Sequence, residues 1–168
     1  ISGSKMLFVI GANPSEAHPV IAAKMRQARR KGAGLIVADP RKTELAAMAD
    51  VWLQLKPGSD VALLNGLMHI ILRDGLQDRA FIDHCTSGFD SVAATVANYP
   101  PDVVERITGI DSALLERAAR LYAQAEQAQI FYTLGITEHC WGTDNVLSIA
   151  NLAMMTGNVG KPYSGVNP

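Results

Sequence analysis

Two loops of the sequence contain residue types that suit a polar ligand. Gly11 and Asn13 follow a continuous apolar run. The glycine permits a tight turn and close backbone approach, and the asparagine amide both donates and accepts hydrogen bonds. Asp39, Pro40 and Arg41 follow the next apolar run. An acidic residue after the second strand is where dinucleotide folds bind ribose hydroxyls, although its spacing from Gly11 is slightly longer than usual.

Two later loops add a carboxylate and two hydrogen-bond donors. Gly58 and Asp60 follow a third apolar run. A carboxylate matches the two adjacent N–H donors on the Watson–Crick edge of guanine, so Asp60 is a candidate base-binding residue. Gly135, Thr137 and His139 follow a fourth run. The hydroxyl and the imidazole could donate to a phosphate or to a heterocycle.

Each of these side chains also has a purely structural interpretation. Asn13 precedes a proline and suits an ordinary turn. Asp39 could cap the chain locally or pair with Arg41. Asp60 stands where it could cap a helix, as Asp111 does later in the sequence. For His139 the two interpretations are evenly balanced.

None of the common nucleotide or catalytic motifs is present. The chain has no GxGxxG turn, no GxxxxGK[ST] loop, no GxSxG and no HExxH. Its four histidines are dispersed without metal-ligand spacing. Cys85 and Cys140 lie far apart, which rules out a disulfide framework and any all-cysteine metal or iron–sulfur site. We therefore predict no catalytic residue and no metal ligand within the chain.

The pattern of apolar runs predicts the elements that position these loops. Short buried strands are expected at 6–10, 35–38, 51–55 and 129–134, with helices at about 19–31, 43–48, 111–127 and 143–156. A helical block is expected over about 60–127, with a buried helix to about residue 73 and two or three short helices over 78–108. The ending GKPYSGVNP is interpreted as a loop with no closing element.

This succession predicts an α/β fold, a Rossmann-like doubly wound parallel sheet of about four strands in the order 3-2-1-4, with a helical insertion. Ligands of such sheets bind beyond the carboxyl ends of the strands, where the strand order reverses. Here the reversal lies between strands 1 and 4. The loops at 11–14 and 135–139 should therefore lie at the binding site.

Composition excludes several classes of protein. The 168 residues are 48% hydrophobic and 18% charged, which indicates a globular chain with a substantial core. A net charge of −1 gives no electrostatic footprint for nucleic acid. The longest apolar run, at 61–72, is too short and too interrupted to span a membrane, so no membrane contact is expected. The chain has no initiator Met, and we expect a single domain, 1–168, cut from a larger subunit.

Four ordered segments together resemble one protein family. They are GANPSEAHPV, VADPRKTELAAMADVWLQLKPGSD, LGITEHCWGTDN and LAMMTGNVGKPYSGVNP, which span almost the whole chain. The set resembles the molybdopterin oxidoreductases of the dimethyl-sulfoxide-reductase superfamily, and most resembles the formate dehydrogenase catalytic (alpha) subunit. One departure is Tyr163, where the family often has glycine.

The resemblance implies that this domain holds one of the two molybdopterin guanine dinucleotides that the family binds around molybdenum or tungsten. By this resemblance, the nucleotide phosphates and ribose would lie by Asn13 and Glu16, with Gly11 in the same loop, and the ribose and guanine by Asp39, Pro40 and Arg41. The guanine would be held by Gly58 and Asp60, and the pyrophosphate or pterin would be approached by Gly135, Thr137 and His139. The loop that leads toward the metal would contain Gly157 and Asn158.

The resemblance also implies what the parent protein does. The parent would oxidise formate to carbon dioxide, with an iron–sulfur cluster, the metal-ligating residue and the remaining domains outside this chain. Electron-transfer subunits would be its partners, and the isolated chain would be inactive. A cytoplasmic location is favoured, with a periplasmic one open if an export signal precedes Ile1. The alternatives are a cofactor-free scaffold domain, as in the large iron–sulfur subunit of complex I, and a sibling activity such as nitrate reduction.

Overall fold

Five parallel strands form a single sheet in the computed structural model, which describes all 168 residues. The strands are β1 (Met6–Ile10), β2 (Gly34–Ala38), β3 (Val51–Leu53), β4 (Ala128–Tyr132) and β5 (Gly165–Asn167). Their order is β3-β2-β1-β4-β5, with every neighbouring pair parallel. The predicted α/β class, the parallel sheet and the 3-2-1-4 order are confirmed.

The helices follow the predicted succession, with shifted boundaries. They are α1 (Pro14–Ala17), α2 (Pro19–Arg30), α3 (Glu44–Ala47), α4 (Asp60–Arg73), α5 (Arg79–Cys85), α6 (Phe89–Val96), α7 (Pro101–Thr108), α8 (Ser112–Ala123), α9 (Leu134–Thr137) and α10 (Gly142–Met155). The block between β3 and β4 is wholly helical, as predicted, and contains three short helices between α4 and α8.

Two sequence-based expectations about the chain after residue 128 are wrong. The ending is not an open loop, because β5 pairs in parallel with β4 and places Val166 opposite Ile130. The fourth strand ends at Tyr132 instead of continuing to residue 134, and the supposed loop at 135–139 begins as the short helix α9.

Helix starts follow local capping chemistry. Asp111 caps α8 as expected, because its carboxylate accepts from the N–H groups of Ala113 and Leu114. The expectation that Asp60 caps α4 is wrong. Ser59 occupies the cap position, and Asp60 is the first helical residue.

The core has two parts, one on each face of the sheet. Alternate residues of β1 point to opposite sides, so Phe8 joins the larger part with α4, α8 and α10, whereas Leu7 and Val9 join the smaller part with α2 and α3. Strands buried on both faces explain the unbroken apolar runs in the sequence. None of the ten helices combines the length and the hydropathy that a membrane-spanning helix requires.

Candidate functional site

A cavity of about 380 Å³ opens at the carboxyl edge of the sheet, next to the ends of β1, β2 and β3. The strand register explains why the loops meet there. Ile10 lies beside both Ala38 and Tyr132, and Ala38 lies beside Leu53, so the strands end at nearly the same level. Ten of the thirteen predicted site residues line this cavity: Gly11, Asn13, Glu16, Asp39, Pro40, Arg41, Gly58, Asp60, Gly135 and His139.

The loop after β1 presents an unused amide to the cavity. Gly11 turns the chain with φ +56°, and its N–H donates to the Ala38 carbonyl at 3.0 Å. Asn13 is the N-cap residue of α1, but its side chain makes no capping bond. Its Oδ1 atom is buried and has no hydrogen-bond partner in the protein. An unpartnered buried acceptor is unfavourable, so this atom calls for a donor from a ligand or a water molecule.

The loop after β2 fixes a buried carboxylate. Asp39 is 4% exposed, and its Oδ1 accepts from the Arg41 N–H at 2.8 Å. The Arg41 guanidinium lies 3.6 Å from the same oxygen, but its side chain is 72% exposed at the cavity rim. The indole N–H of Trp52 donates to the Asp39 carbonyl at 3.0 Å and anchors the loop from β3. One carboxylate oxygen of Asp39 therefore has the local structural role that the sequence allowed, because it accepts from the Arg41 N–H.

Asp60 places a second buried carboxylate in the cavity, at the first turn of α4. It is 6% exposed. Burial raises the pKa of its carboxyl, and the nearby Asp39 charge adds to this; a hydrogen bond from its own backbone N–H and the proximity of His139 act in the opposite direction. A buried carboxylate with free acceptor positions can accept N–H or O–H donors from a bound molecule.

The chain after β4 closes one side of the cavity. The Gly135 N–H donates to the Gly11 carbonyl at 3.1 Å, and the Thr133 hydroxyl donates to the same oxygen at 3.2 Å. His139 follows α9 and lines the cavity, and its carbonyl accepts from the Gly142 N–H at 2.9 Å at the start of α10. This contact holds the His139 backbone, and the charge of His139 acts on Asp60 across the cavity.

Three of the predicted site residues lie outside the cavity. Thr137 is exposed at the end of α9. Gly157 and Asn158 follow α10 and lie near the amino end of β4, at the opposite edge of the sheet, because Asn158 Oδ1 accepts from the Ala128 N–H at 3.0 Å. Asn158 Nδ2 donates to the Thr156 hydroxyl at 2.9 Å, so both ends of this amide are used by the protein itself.

Other cavity residues were not expected from the sequence. They are Ala17, Ala38, Leu55, Pro57, Thr133 and Leu134, whereas Ala12 belongs to the 11–14 loop that the sequence placed at the site. Thr133 was not identified because the fourth strand was predicted to continue to residue 134. A strand that ends at Tyr132 makes Thr133 the first residue of the loop. The apolar residues of this set contribute only van der Waals surface to the cavity, and their residue types give no sign in the sequence of a ligand contact.

The cavity is lined mainly by groups that accept hydrogen bonds. It contains two buried carboxylates and one unpartnered amide oxygen, all of them acceptors, with an exposed guanidinium and an imidazole at its side. No group of three or more His, Cys, Asp or Glu side chains is arranged to hold a metal ion. Its volume falls within the roughly 300–1,000 Å³ that is typical of small-molecule sites.

Comparisons with known proteins find relatives along the whole chain. The family model described as molybdopterin oxidoreductase matches residues 1–168. Formate dehydrogenase H of Escherichia coli (strain K12) is 45% identical over the whole chain, which covers 24% of that relative. The F420-dependent formate dehydrogenase 1 subunit alpha of Methanococcus maripaludis is 42% identical over the whole chain, which covers 25% of it.

More distant similarities include proteins with other activities. A nitrate reductase of Synechocystis is 36% identical over 94% of the chain, which covers 22% of that protein. Among solved structures, the acetylene hydratase of Pelobacter acetylenicus superposes with a TM-score of 0.91 and 31% identity over 95% of this chain and 22% of its own. The chain thus spans about a quarter of the length of each of these relatives.

Proposed function

This chain belongs to the molybdopterin oxidoreductase family, and we propose that it is the domain of a formate dehydrogenase catalytic subunit that binds one molybdopterin guanine dinucleotide. The family predicted from the four sequence segments is confirmed, and the formate dehydrogenases quoted above are similar along its entire length. The form of the cofactor and the roles of individual residues are our proposal.

The observation that carries the proposal is the buried carboxylate of Asp60 in the cavity at the carboxyl edge of the sheet. Guanine offers two adjacent N–H donors on its Watson–Crick edge, and a carboxylate accepts both in one plane. Apart from its own backbone N–H, no protein group donates to the Asp60 carboxylate, so it retains acceptor positions for the base. Gly58, two residues before it, lies in a turn with φ +83°, and a Cβ added there would meet no atom of a non-adjacent residue within 4 Å, so this side of the cavity is open.

The remaining groups suit the sugar and phosphate parts of such a nucleotide. Asp39 keeps one oxygen for a ribose hydroxyl while the other holds the Arg41 N–H. The exposed Arg41 guanidinium lies beside Asp39, where it can line the ribose and guanine part of the pocket. The unpartnered Asn13 Oδ1 atom needs a hydroxyl or N–H donor, so the residues present fit a polar nucleotide better than an empty scaffold.

The variety of relatives supports a cofactor-binding role over a substrate-binding one. Proteins named formate dehydrogenase, nitrate reductase and acetylene hydratase share this domain. A domain common to three different activities is expected to hold what those proteins have in common. When bound, the molybdenum or tungsten of the cofactor would accept the two electrons that formate loses as it becomes carbon dioxide and a proton.

The proposal extends to the longer protein. We infer that the metal-ligating residue, the iron–sulfur cluster and the second cofactor's domain lie outside these 168 residues, with electron-transfer subunits as partners and a cytoplasmic location. Without those parts the 168-residue chain would have no activity of its own. Nitrate reduction remains the alternative activity, since a nitrate reductase is 36% identical.

The test uses the protein expressed from the complete gene. Purified protein should release GMP on acid hydrolysis and contain stoichiometric molybdenum or tungsten. Asp60→Ala should lower both contents several-fold, whereas Asp90→Ala, which changes an exposed aspartate on α6, should lower neither. Normal GMP and metal contents in the Asp60 variant would contradict the guanine role. A wild-type protein that contains neither pterin nor metal would instead establish the scaffold alternative.

A further inference from the structure

The loop that contains Asp39 is held from β3, the edge strand of the sheet. Trp52 lies beside Val37 in the strand register, and its indole N–H reaches two residues further along, to the Asp39 carbonyl at 3.0 Å. Gln54 follows on the same side of the chain by period-two alternation, and its Nε2 atom donates to the Pro40 carbonyl at 3.0 Å. Two side chains at the end of one strand thus hold two successive carbonyls of the neighbouring loop.

Pro40 makes the first of these carbonyls dependent on Trp52. Because proline has no N–H, the Asp39 carbonyl is the only hydrogen-bonding group of the peptide unit between residues 39 and 40. The Trp52 indole is its partner. The N–H of Asp39 donates to the Leu53 carbonyl at 3.3 Å. Both peptide units that flank the Asp39 Cα atom are therefore fixed from β3.

Gln54 acts on the Asp39 carboxylate through a single peptide unit. The Pro40 carbonyl and the Arg41 N–H belong to the same planar, trans peptide unit and point in opposite directions. Gln54 binds the carbonyl, and the N–H donates to Asp39 Oδ1 at 2.8 Å. The orientation of this peptide unit sets where Oδ1 is held, and with it the direction of the other carboxylate oxygen, Oδ2.

The indole of Trp52 is held on both sides. The ring packs against the smaller part of the core. Lys42 of the same loop places its Nζ atom 5.8 Å from the ring centroid. A cation within about 6 Å of an indole face is attracted to it. A ring held between the core and the loop keeps its N–H in one direction, as a positioning contact requires.

We propose that Trp52 and Gln54 are positioning residues of the nucleotide site, which aim the Asp39 carboxylate so that its Oδ2 atom accepts from a ribose hydroxyl. The inference rests on the proposed function, in which this cavity binds a guanine nucleotide. Neither side chain lines the cavity, so neither would touch the nucleotide itself. Their effect should therefore appear in recognition of the ribose and not of the base, which Asp60 would hold.

The ribose preference of the protein from the complete gene, purified from a host that makes no pterin cofactor, tests the proposal. Calorimetry compares GDP with 2′,3′-dideoxy-GDP, which has the same base and charge but no hydroxyl for Asp39. Trp52→Phe keeps an aromatic ring and removes the donor, so the ratio of the two affinities should fall about 2-fold to 10-fold, the equivalent of one hydrogen bond. Trp141→Phe is the matched control, since Trp141 is 62% exposed and outside the cavity lining.

Further variants separate positioning from stability. Asp39→Ala should abolish the preference for GDP, and Trp52→Phe should have no further effect on the ratio in that background. Gln54→Glu is nearly isosteric and loses the donor, so it should also reduce the preference. Its control for charge is Gln27→Glu, an exposed change on α2. A Trp52→Phe variant with a lower Tm but the full preference would overturn the inference and leave the proposed function intact.

A readout without nucleotide separates the inference from the proposed function. Hydrogen exchange at the Arg41 amide reports its bond to Asp39 Oδ1, and Gln54→Glu should accelerate this exchange several-fold, whereas Gln27→Glu should not. Unchanged exchange in Gln54→Glu would overturn the positioning role, whatever the nucleotide affinities are. A wild-type protein that binds neither nucleotide would contradict the proposed function, and the ribose role with it.

Discussion

Gly135 donates its backbone N–H to the carbonyl oxygen of Gly11 at 3.1 Å, and this contact joins the loops that follow the two central strands. An open doubly wound sheet normally has its crevice at this point, where the strand order reverses. Here the two glycine backbones close the reversal point between β1 and β4. The cavity is consequently displaced toward β2 and β3, where Asp39 and Asp60 lie.

Replacing Gly135 with alanine should disrupt this closure. A Cβ atom at position 135 would lie 2.5 Å from the Gly11 carbonyl oxygen, which is backbone and has little freedom to move. Overpacking of this kind typically destabilises by about 1–3 kcal/mol. We expect Gly135→Ala to lower the free energy of unfolding by that amount, as measured by urea denaturation.

The control for that variant is Gly160→Ala. Gly160 has φ +74° but nothing within 4 Å of its added Cβ, so its alanine variant bears only the backbone strain, about 1 kcal/mol. If Gly135→Ala were no more destabilising than Gly160→Ala, the two loops would not be held in contact as the structure has them.

Asp60→Asn should stabilise the protein and weaken its nucleotide binding. Burial raises the pKa of the Asp60 carboxyl above its unfolded value of about 3.9, so ionisation is harder in the folded state. Stability is therefore lost as the pH rises from about 3.9 through the folded pKa. Asparagine cannot ionise and avoids this loss. We expect the variant's advantage in Tm to be a few degrees at pH 7 and to shrink at acid pH.

The same Asp60→Asn substitution should weaken nucleotide binding, although it stabilises the fold. Asparagine presents one acceptor and one donor to the base in place of two acceptors, and the loss of a charge-assisted bond amounts to about 1.5–3 kcal/mol. GDP affinity at pH 7, measured by calorimetry, should fall about 10-fold to 100-fold. Asp90→Asn provides the control and should change neither property. Equal loss of affinity for GDP and ADP would indicate that Asp60 does not recognise guanine.

The arrangement of the central strands could be predicted because it depends on local signals. Continuous apolar runs identify strands buried on both faces, and right-handed crossovers then leave few strand orders. The parallel arrangement brings all the carboxyl ends to one edge. For that reason Asn13, Asp39, Asp60 and His139, which are far apart in the sequence, meet in one cavity as the loops predicted.

The elements that could not be predicted depend on long-range partners. β5 has three residues and one large apolar side chain, Val166, so nothing in its own pattern indicates a strand; it exists because the edge of β4 is available for pairing. The choice of Ser59 over Asp60 as the cap residue of α4 depends on the preceding turn, where the Ser59 hydroxyl donates to the Lys56 carbonyl at 2.6 Å. The pairing of β5 and the cap of α4 both depend on tertiary contacts that the local sequence does not reveal.

Tyr163 and Gly3 should be energetically coupled. Tyr163 has φ +62°, the left-handed region that glycine adopts freely, in agreement with the glycine that the family often has there. Its ring lies against Gly3, where an added Cβ would be 2.7 Å from the ring's Cγ atom. Gly3→Ala should therefore destabilise the wild type but not the Tyr163→Gly variant. A double-mutant cycle should give a coupling free energy of about 1 kcal/mol, and additive effects would show that the ring moves aside.

Asn158 should prove to be a structural residue and not a ligand contact. It is fully buried, its Oδ1 accepts from the Ala128 N–H at the first residue of β4, and its Nδ2 donates to Thr156. Asn158→Ala leaves a buried N–H without an acceptor and should destabilise by about 1–3 kcal/mol. Because this contact lies at the opposite edge of the sheet from the cavity, GDP affinity measured well below the Tm should not change. Asn13→Ala is the comparison, since its buried Oδ1 atom has no partner in the protein. That variant should keep or raise the Tm and lose affinity, so a reversed pattern between the two asparagines would contradict both assignments.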